Sequence, residues 1–193
     1  MNATMIKRPQ ILATLAISLG LLAIAQYTFV SARAADAPEN RGQISAADYK
    51  FATTAAHGSA LEVTLGNLAQ KSTQSAVKQF GQRMVDDHTK AGKQLNDLIA
   101  PKGAMLPAGV SDEQQKEVDH LSGLTGSEFD RAYVAFMVKA HKADLKAFKQ
   151  AAQDVQDPDL KAFAANMVPT IQEHLSMAES LDENLKSAMS LNN

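Results

Sequence analysis

The sequence predicts an all-α protein: an antiparallel four-helix bundle with a short extra helix in the connection between the second and third long helices. Three observations carry this expectation. Apolar residues recur three and four positions apart in four long stretches, the stripe of a core-facing helix. Aromatic residues make up only 5% of the 193 residues, Trp is absent and Ala is abundant, which favours helices packed through Ala and Leu. The first and second stretches, and the third and fourth, are joined by short links, whereas a longer segment with Pro and Gly joins the second to the third.

Residues 1–34 read as a signal peptide. Lys7 and Arg8 give the positive start, residues 11–25 form an apolar run closed by Gln26, and Ala32-Arg33-Ala34 is an A-x-A cleavage site. The alternative is an uncleaved anchor, but the run falls short of the ~20 residues a spanning helix needs. Cutting after Ala34 removes three cations and no anion, so the mature chain carries a net charge of −5. The expected location is the periplasm or another exported compartment, with no transmembrane span in the mature chain. Residues 35–44, with Pro38, Asn40 and Gly42, read as a linker, and 45–190 as the helical domain.

Within that domain, Ser45 is placed to cap helix one, with Asp48 three residues on. Its inward stripe is Phe51, Ala55, Gly58, Glu62, Leu65 and Ala69, in which Glu62 is a carboxylate among apolar neighbours. Helix two spans about Ser75 to Ala100 with the stripe Val77, Phe80, Met84, His88, Ala91, Leu95 and Leu98. Pro101, Gly103 and Pro107-Ala108-Gly109 break the pattern, and Ser111 caps a short helix from Asp112 to Leu121. Helix three follows Thr125-Gly126-Ser127 and turns Phe129, Tyr133, Phe136, Met137, Ala140, His141, Leu145 and Phe148 inward. Asp157 caps helix four and Pro158 opens it; its stripe is Leu160, Phe163, Met167, Ile171, His174, Ala178, Leu181 and Leu185. Pro169, inside that stripe, should bend the helix and free the Ala165 carbonyl.

Each long helix thus carries one ligand-type residue on its apolar stripe: Glu62, His88, His141 and His174. Counted from the end that holds the two short turns, they lie about 11, 14, 14 and 18 residues deep, a spread of ~10 Å along the axis. Two readings stand side by side. The four residues bind a transition metal (copper, zinc or iron), since imidazole serves all three. Alternatively, they form a polar network that sets helix register, with Glu62 accepting from an imidazole, in a non-catalytic structural or envelope-interaction module. In a metal-free core, too, Glu62 should bond an imidazole, because an unpaired buried carboxylate is costly. Met84, Met137 and Met177 each lie one turn from a core histidine, which adds soft donors suited to copper, or else they simply fill the core.

The remaining polar residues read more simply. His57 and His120 are expected at the surface, and Asp86, Asp87 and Glu173 as solvated or capping groups, the alternative being that they orient a neighbouring imidazole. Asp130 is expected to complement the dipole of helix three, and Tyr133 to sit in the core with one partner for its hydroxyl. Without Cys there is no disulfide, iron–sulfur cluster or thiolate zinc site. The charge balance gives no basic footprint for nucleic acid. No phosphate loop, nucleophile elbow or triad spacing is present, so no catalytic residue is assigned; a non-enzyme is favoured over a third reading, a metal-dependent oxidoreductase, which needs an open coordination position and a substrate route that the sequence does not display.

Four motifs occur in order: Leu61-Glu62-Val63-Thr64-Leu65-Gly66-Asn67-Leu68-Ala69, Arg83-Met84-Val85-Asp86-Asp87-His88, Phe129-Asp130-Arg131-Ala132-Tyr133 and Pro169-Thr170-Ile171-Gln172-Glu173-His174-Leu175. Together they resemble a bacterial domain-of-unknown-function family of exported ferritin-like proteins, often labelled predicted outer membrane proteins. The resemblance covers about Ser45 to Leu181 and implies a ferritin-like bundle and an exported location, with no established activity. The di-iron ferritin pattern itself does not carry over. It needs a Glu on two helices and Glu-x-x-His on the other two, whereas Val85 and Ile171 stand three before His88 and His174.

Overall fold

The computed structural model describes residues 44–190. The expected signal peptide, and all of the expected linker except Ile44, lie outside the described residues. Within them the fold is all-helical, with α1 (Ala46–Leu68), α2 (Ser75–Ile99), α3 (Asp112–Gly123), α4 (Gly126–Asp154) and α5 (Pro158–Ser190). Single 3-10 turns, Ala69–Lys71 and Ala100–Lys102, extend α1 and α2.

The helix ends follow their local chemistry. Ser45 Oγ accepts the Asp48 N–H at 3.0 Å, and Asp157 Oδ1 accepts the Leu160 N–H at 3.0 Å, so both expected caps form. Ser111 and Gln114 make a reciprocal capping box at the start of α3. Gly103 closes the turn after α2 at φ 73°, in the left-handed region that glycine enters without a Cβ penalty. Pro169 lies inside α5 without ending it.

Asp48 does more than stand near a cap. Its side chain is buried and accepts the Gln156 N–H at 3.2 Å and the Asp157 N–H at 3.0 Å. The start of α1 is thereby fastened to the turn between α4 and α5.

The main helix pairs are α1 with α2 and α4 with α5, and α2 also meets α5. In each pair residue numbers rise in opposite directions. Gly66 approaches Gly81 while Ser59 approaches Gly92. Phe148 meets Phe163 while Lys142 pairs with Glu179, and Lys102 pairs with Asp157 while Asp87 meets His174. A Cβ on Gly66 would stand 2.5 Å from the Gly81 carbonyl oxygen, so the closeness of α1 and α2 there depends on glycine. Among the described residues, no helix is long and apolar enough to cross a membrane.

Two apolar clusters fill the interior. One gathers Leu65, Phe80, Met84, Phe129, Tyr133 and Met137, and the other Ala52, Leu95, Ile99, Leu160 and Phe163. Along α2, α4 and α5 the changeover from one cluster to the other falls at His88, at His141 and at His174. A polar layer therefore divides the core into two apolar halves.

Candidate metal centre

Residues three and four apart share a helix face, so each imidazole follows its stripe inward. His88, His141 and His174 are all buried, at 7%, 0% and 0% exposure. One ring nitrogen from each falls in a group whose members all lie within 4.8 Å of one another. The ring centroids are 6.2 Å apart for His88 and His141, and 5.4 Å for each of the other two pairs.

Hydrogen bonds set the tautomers. His141 Nδ1 lies 3.0 Å from the Met137 carbonyl, which can only accept, so Nδ1 carries the hydrogen and Nε2 keeps its lone pair. His174 Nε2 donates to Asp87 Oδ2 at 2.8 Å, which leaves the lone pair on Nδ1. The nitrogens left over are His141 Nε2 and His174 Nδ1; with His88 Nε2, they are buried and have no hydrogen-bond partner. An unsatisfied buried polar atom costs about 1–3 kcal/mol, so three of them in one layer is an expensive arrangement for a polar network alone.

The electrostatics keep these rings neutral. Burial, reinforced by the neighbouring His174 and His141, pushes His88 from 6.5 down to about 3. Burial takes His141 down to about 4 against the pull of the Met137 carbonyl, and lowers His174 against the opposing effect of Asp87. A neutral imidazole is the form that binds a metal.

Asp87 is the carboxylate that orients an imidazole here. It bonds both His174 and Arg83, and Arg83 also reaches Glu173 at 3.4 Å. Burial alone would raise its pKa, but Arg83 and His174 outweigh that and hold it below the usual value. A carboxylate behind a ligating histidine fixes ring orientation and raises its basicity. Of the two expectations for Asp87, a solvated or capping group and a group that orients a neighbouring imidazole, the contact with His174 fits the second. The available signal was its place one residue before His88 and four after Arg83.

Glu62 is buried at 2% exposure, but it is not a member of the three-nitrogen group. Among the described residues it bonds no imidazole, contrary to the expectation for a metal-free core, and its Oε2 has no partner. The N–H of His141 is taken by its own helix and that of His174 by Asp87. Burial, with Asp144 nearby, raises Glu62 well above the ordinary carboxyl value, and burial raises Asp144 to about 6. Tyr133 is core, as expected, but its hydroxyl has no partner. Asp130 is buried at 1% exposure, with Oδ1 unpartnered.

Met84 and Met137 belong to the first apolar cluster, and Met177 packs against it half-buried. What links Met137 to His141 is a backbone carbonyl. His120 is exposed, whereas His57 is half-buried and bonded to the Gly109 carbonyl.

Comparison with known proteins gives one family. The family model described as a domain of unknown function, DUF4142, matches residues 33–181. No curated protein and no solved structure matches the chain.

Proposed function

The chain belongs to the DUF4142 family, and on that footing we propose that it is an exported transition-metal-binding protein whose centre is His88, His141 and His174. One observation carries the reading: His88, His141 and His174 each bring a ring nitrogen within 4.8 Å of the other two, and each ring has a buried nitrogen without a hydrogen-bond partner. A metal bonded at about 2.0–2.1 Å would give such nitrogens a partner once the rings draw closer than their 4.8 Å spread. Three neutral nitrogens suit zinc, copper or iron, and do not suit magnesium or calcium, which prefer oxygen.

Glu62 is the candidate fourth ligand. It is buried on α1, and an arriving cation would favour its ionised form. The methionines supply a copper variant of the same reading: Met84, Met137 and Met177 lie one turn from the three histidines, and thioethers suit Cu(I). The opposed helix directions support an antiparallel four-helix, ferritin-like bundle with α3 as an insertion. The A-x-A site at Ala32-Arg33-Ala34 and the family resemblance support export and association with the envelope.

Elemental analysis of the purified exported protein tests this. About one transition-metal ion per chain is expected from a single-centre site. That ion is lost in His88→Ala, His141→Ala and His174→Ala. Wild-type protein without stoichiometric metal, and with no uptake of zinc or copper on titration, would leave the structural module as the reading. An equal response to magnesium would remove the soft-metal preference.

A further inference from the structure

We infer that metal reaches and leaves the three-histidine layer through the groove between α1 and α2, with His88 as the exchanging ligand and His57 as the residue that holds the groove's roof. The inference rests on the metal-binding reading above.

Several independent observations meet at His88. It alone of the three rings keeps any exposure, 7% against 0% for the others. It alone lines the groove, a space of about 330 Å³ walled by α1 and α2 and roofed by Pro107, Ala108 and Gly109. It is also the ring with nothing to hold it. His141 is tied to the Met137 carbonyl and His174 to Asp87, but among the described residues no hydrogen bond fixes His88. The same ring also borders a second cavity of about 50 Å³, lined mostly by apolar residues of α1, α4 and α5, which leaves room for it to turn.

The groove wall is suited to passage. It contains no carboxylate and no imidazole other than His88. Thr64 and Asn96 spend their hydrogen bonds on their own helices, and Lys93 is paired with Asp97. An ion that enters therefore meets His88 as its first strong ligand. Two bonds from α1 hold the roof segment: His57 Nδ1 donates to the Gly109 carbonyl at 2.7 Å, and the Tyr49 hydroxyl donates to the Met105 carbonyl at 2.6 Å.

Neither tether touches the three-histidine centre. Cutting one changes the barrier to passage and leaves bound and free states as they were, so entry and exit rates must rise together. Stopped-flow exchange of zinc, read with a chromophoric chelator, is the test. With one hydrogen bond worth about 1 kcal/mol, His57→Ala should speed both association and release by about fivefold with Kd unchanged. Tyr49→Phe, which removes only a hydroxyl, carries the same test should His57→Ala fail to fold.

A second measurement needs no metal. Diethyl pyrocarbonate should modify His88 of the metal-free protein ahead of His141 and His174, and faster still in His57→Ala, as located by peptide mapping. Zinc binding with rates unchanged in both variants would overturn the route, as would His141 or His174 reacting as fast as His88. Failure of the wild-type protein to bind zinc would instead sink the metal reading, while the order of modification still decides whether the groove leads to His88.

Discussion

Asp87 stands one residue before His88 yet serves a different imidazole, the His174 ring on α5, at 2.8 Å. Removing such a partner costs about 10–100-fold in metal affinity. Asp87→Ala should therefore weaken zinc binding by that factor in a competition titration, and Asp87→Asn, whose amide oxygen still accepts, by less. Loss of the same size in Asp86→Ala would show that the effect is one of surface charge. The rings also set a pH dependence in the metal-free protein. Burial holds His88 at about 3 when folded, against its ordinary value of 6.5. Between those values the unfolded chain binds a proton that the folded chain does not. Stability is thus fully present above 6.5 and declines as pH falls toward 3. His88→Leu lacks this proton. Between pH 7 and about 4.5 it should lose about 2–3 kcal/mol less than wild type, read from urea midpoints in the presence of chelator. Asp144, raised to about 6, acts in the opposite sense: its contribution is present at low pH and lost as pH rises through 6. The comparison of variants, rather than the wild-type profile alone, isolates the imidazole.

At the scale of the element, the pairing of α1 with α2 turns on two glycines. A Cβ on Gly66 meets the Gly81 carbonyl oxygen at 2.5 Å, and one on Gly81 meets Ala69 Cβ at 2.5 Å. Overpacking of this kind costs about 1–3 kcal/mol and exceeds the gain in helix propensity. Gly66→Ala should be destabilised accordingly in urea. Gly58 lies on the same helix, but its Cβ would meet nothing within 4 Å. Gly58→Ala should instead be stabilised by about 0.5–1 kcal/mol. A Gly66→Ala protein as stable as Gly58→Ala would mean that the two helices separate more readily than their contact implies. Asp48 gives a test at the other end. Asp48→Ala leaves the Gln156 and Asp157 N–H groups without their acceptor, and should cost about 2–3 kcal/mol.

At the scale of the molecule, the three-histidine layer sits between two apolar clusters, so a ligand bound there joins both halves of the core. A metal that binds only the folded protein, present at 100-fold over its Kd, adds about 2.7 kcal/mol of stability. Zinc should raise the melting temperature of wild-type protein and leave that of His141→Ala unchanged. An equal rise in both would place the binding elsewhere.

The helices themselves were legible in the chain. Ser45, Ser111 and Asp157 cap where a polar side chain precedes an apolar stripe, and the stripes at Val77 to Leu95 and Phe129 to His141 turn inward as their spacing requires. Those features are local, since periodicity and capping depend on residues within one or two turns. The inward placement of His88, His141 and His174 came from the same rule. Which atoms meet was decided between helices. Asp87 reaches His174 across 87 positions of sequence, and Asp48 reaches Gln156 and Asp157 across 108 and 109. Glu62 holds a stripe position that leaves its partner open, and its Oε2 did not acquire the imidazole expected of it. A helical pattern states which face a side chain occupies. The rotation and axial offset of one helix against the next, set here by contacts such as Gly66 on Gly81, determine which carboxylate finds which imidazole.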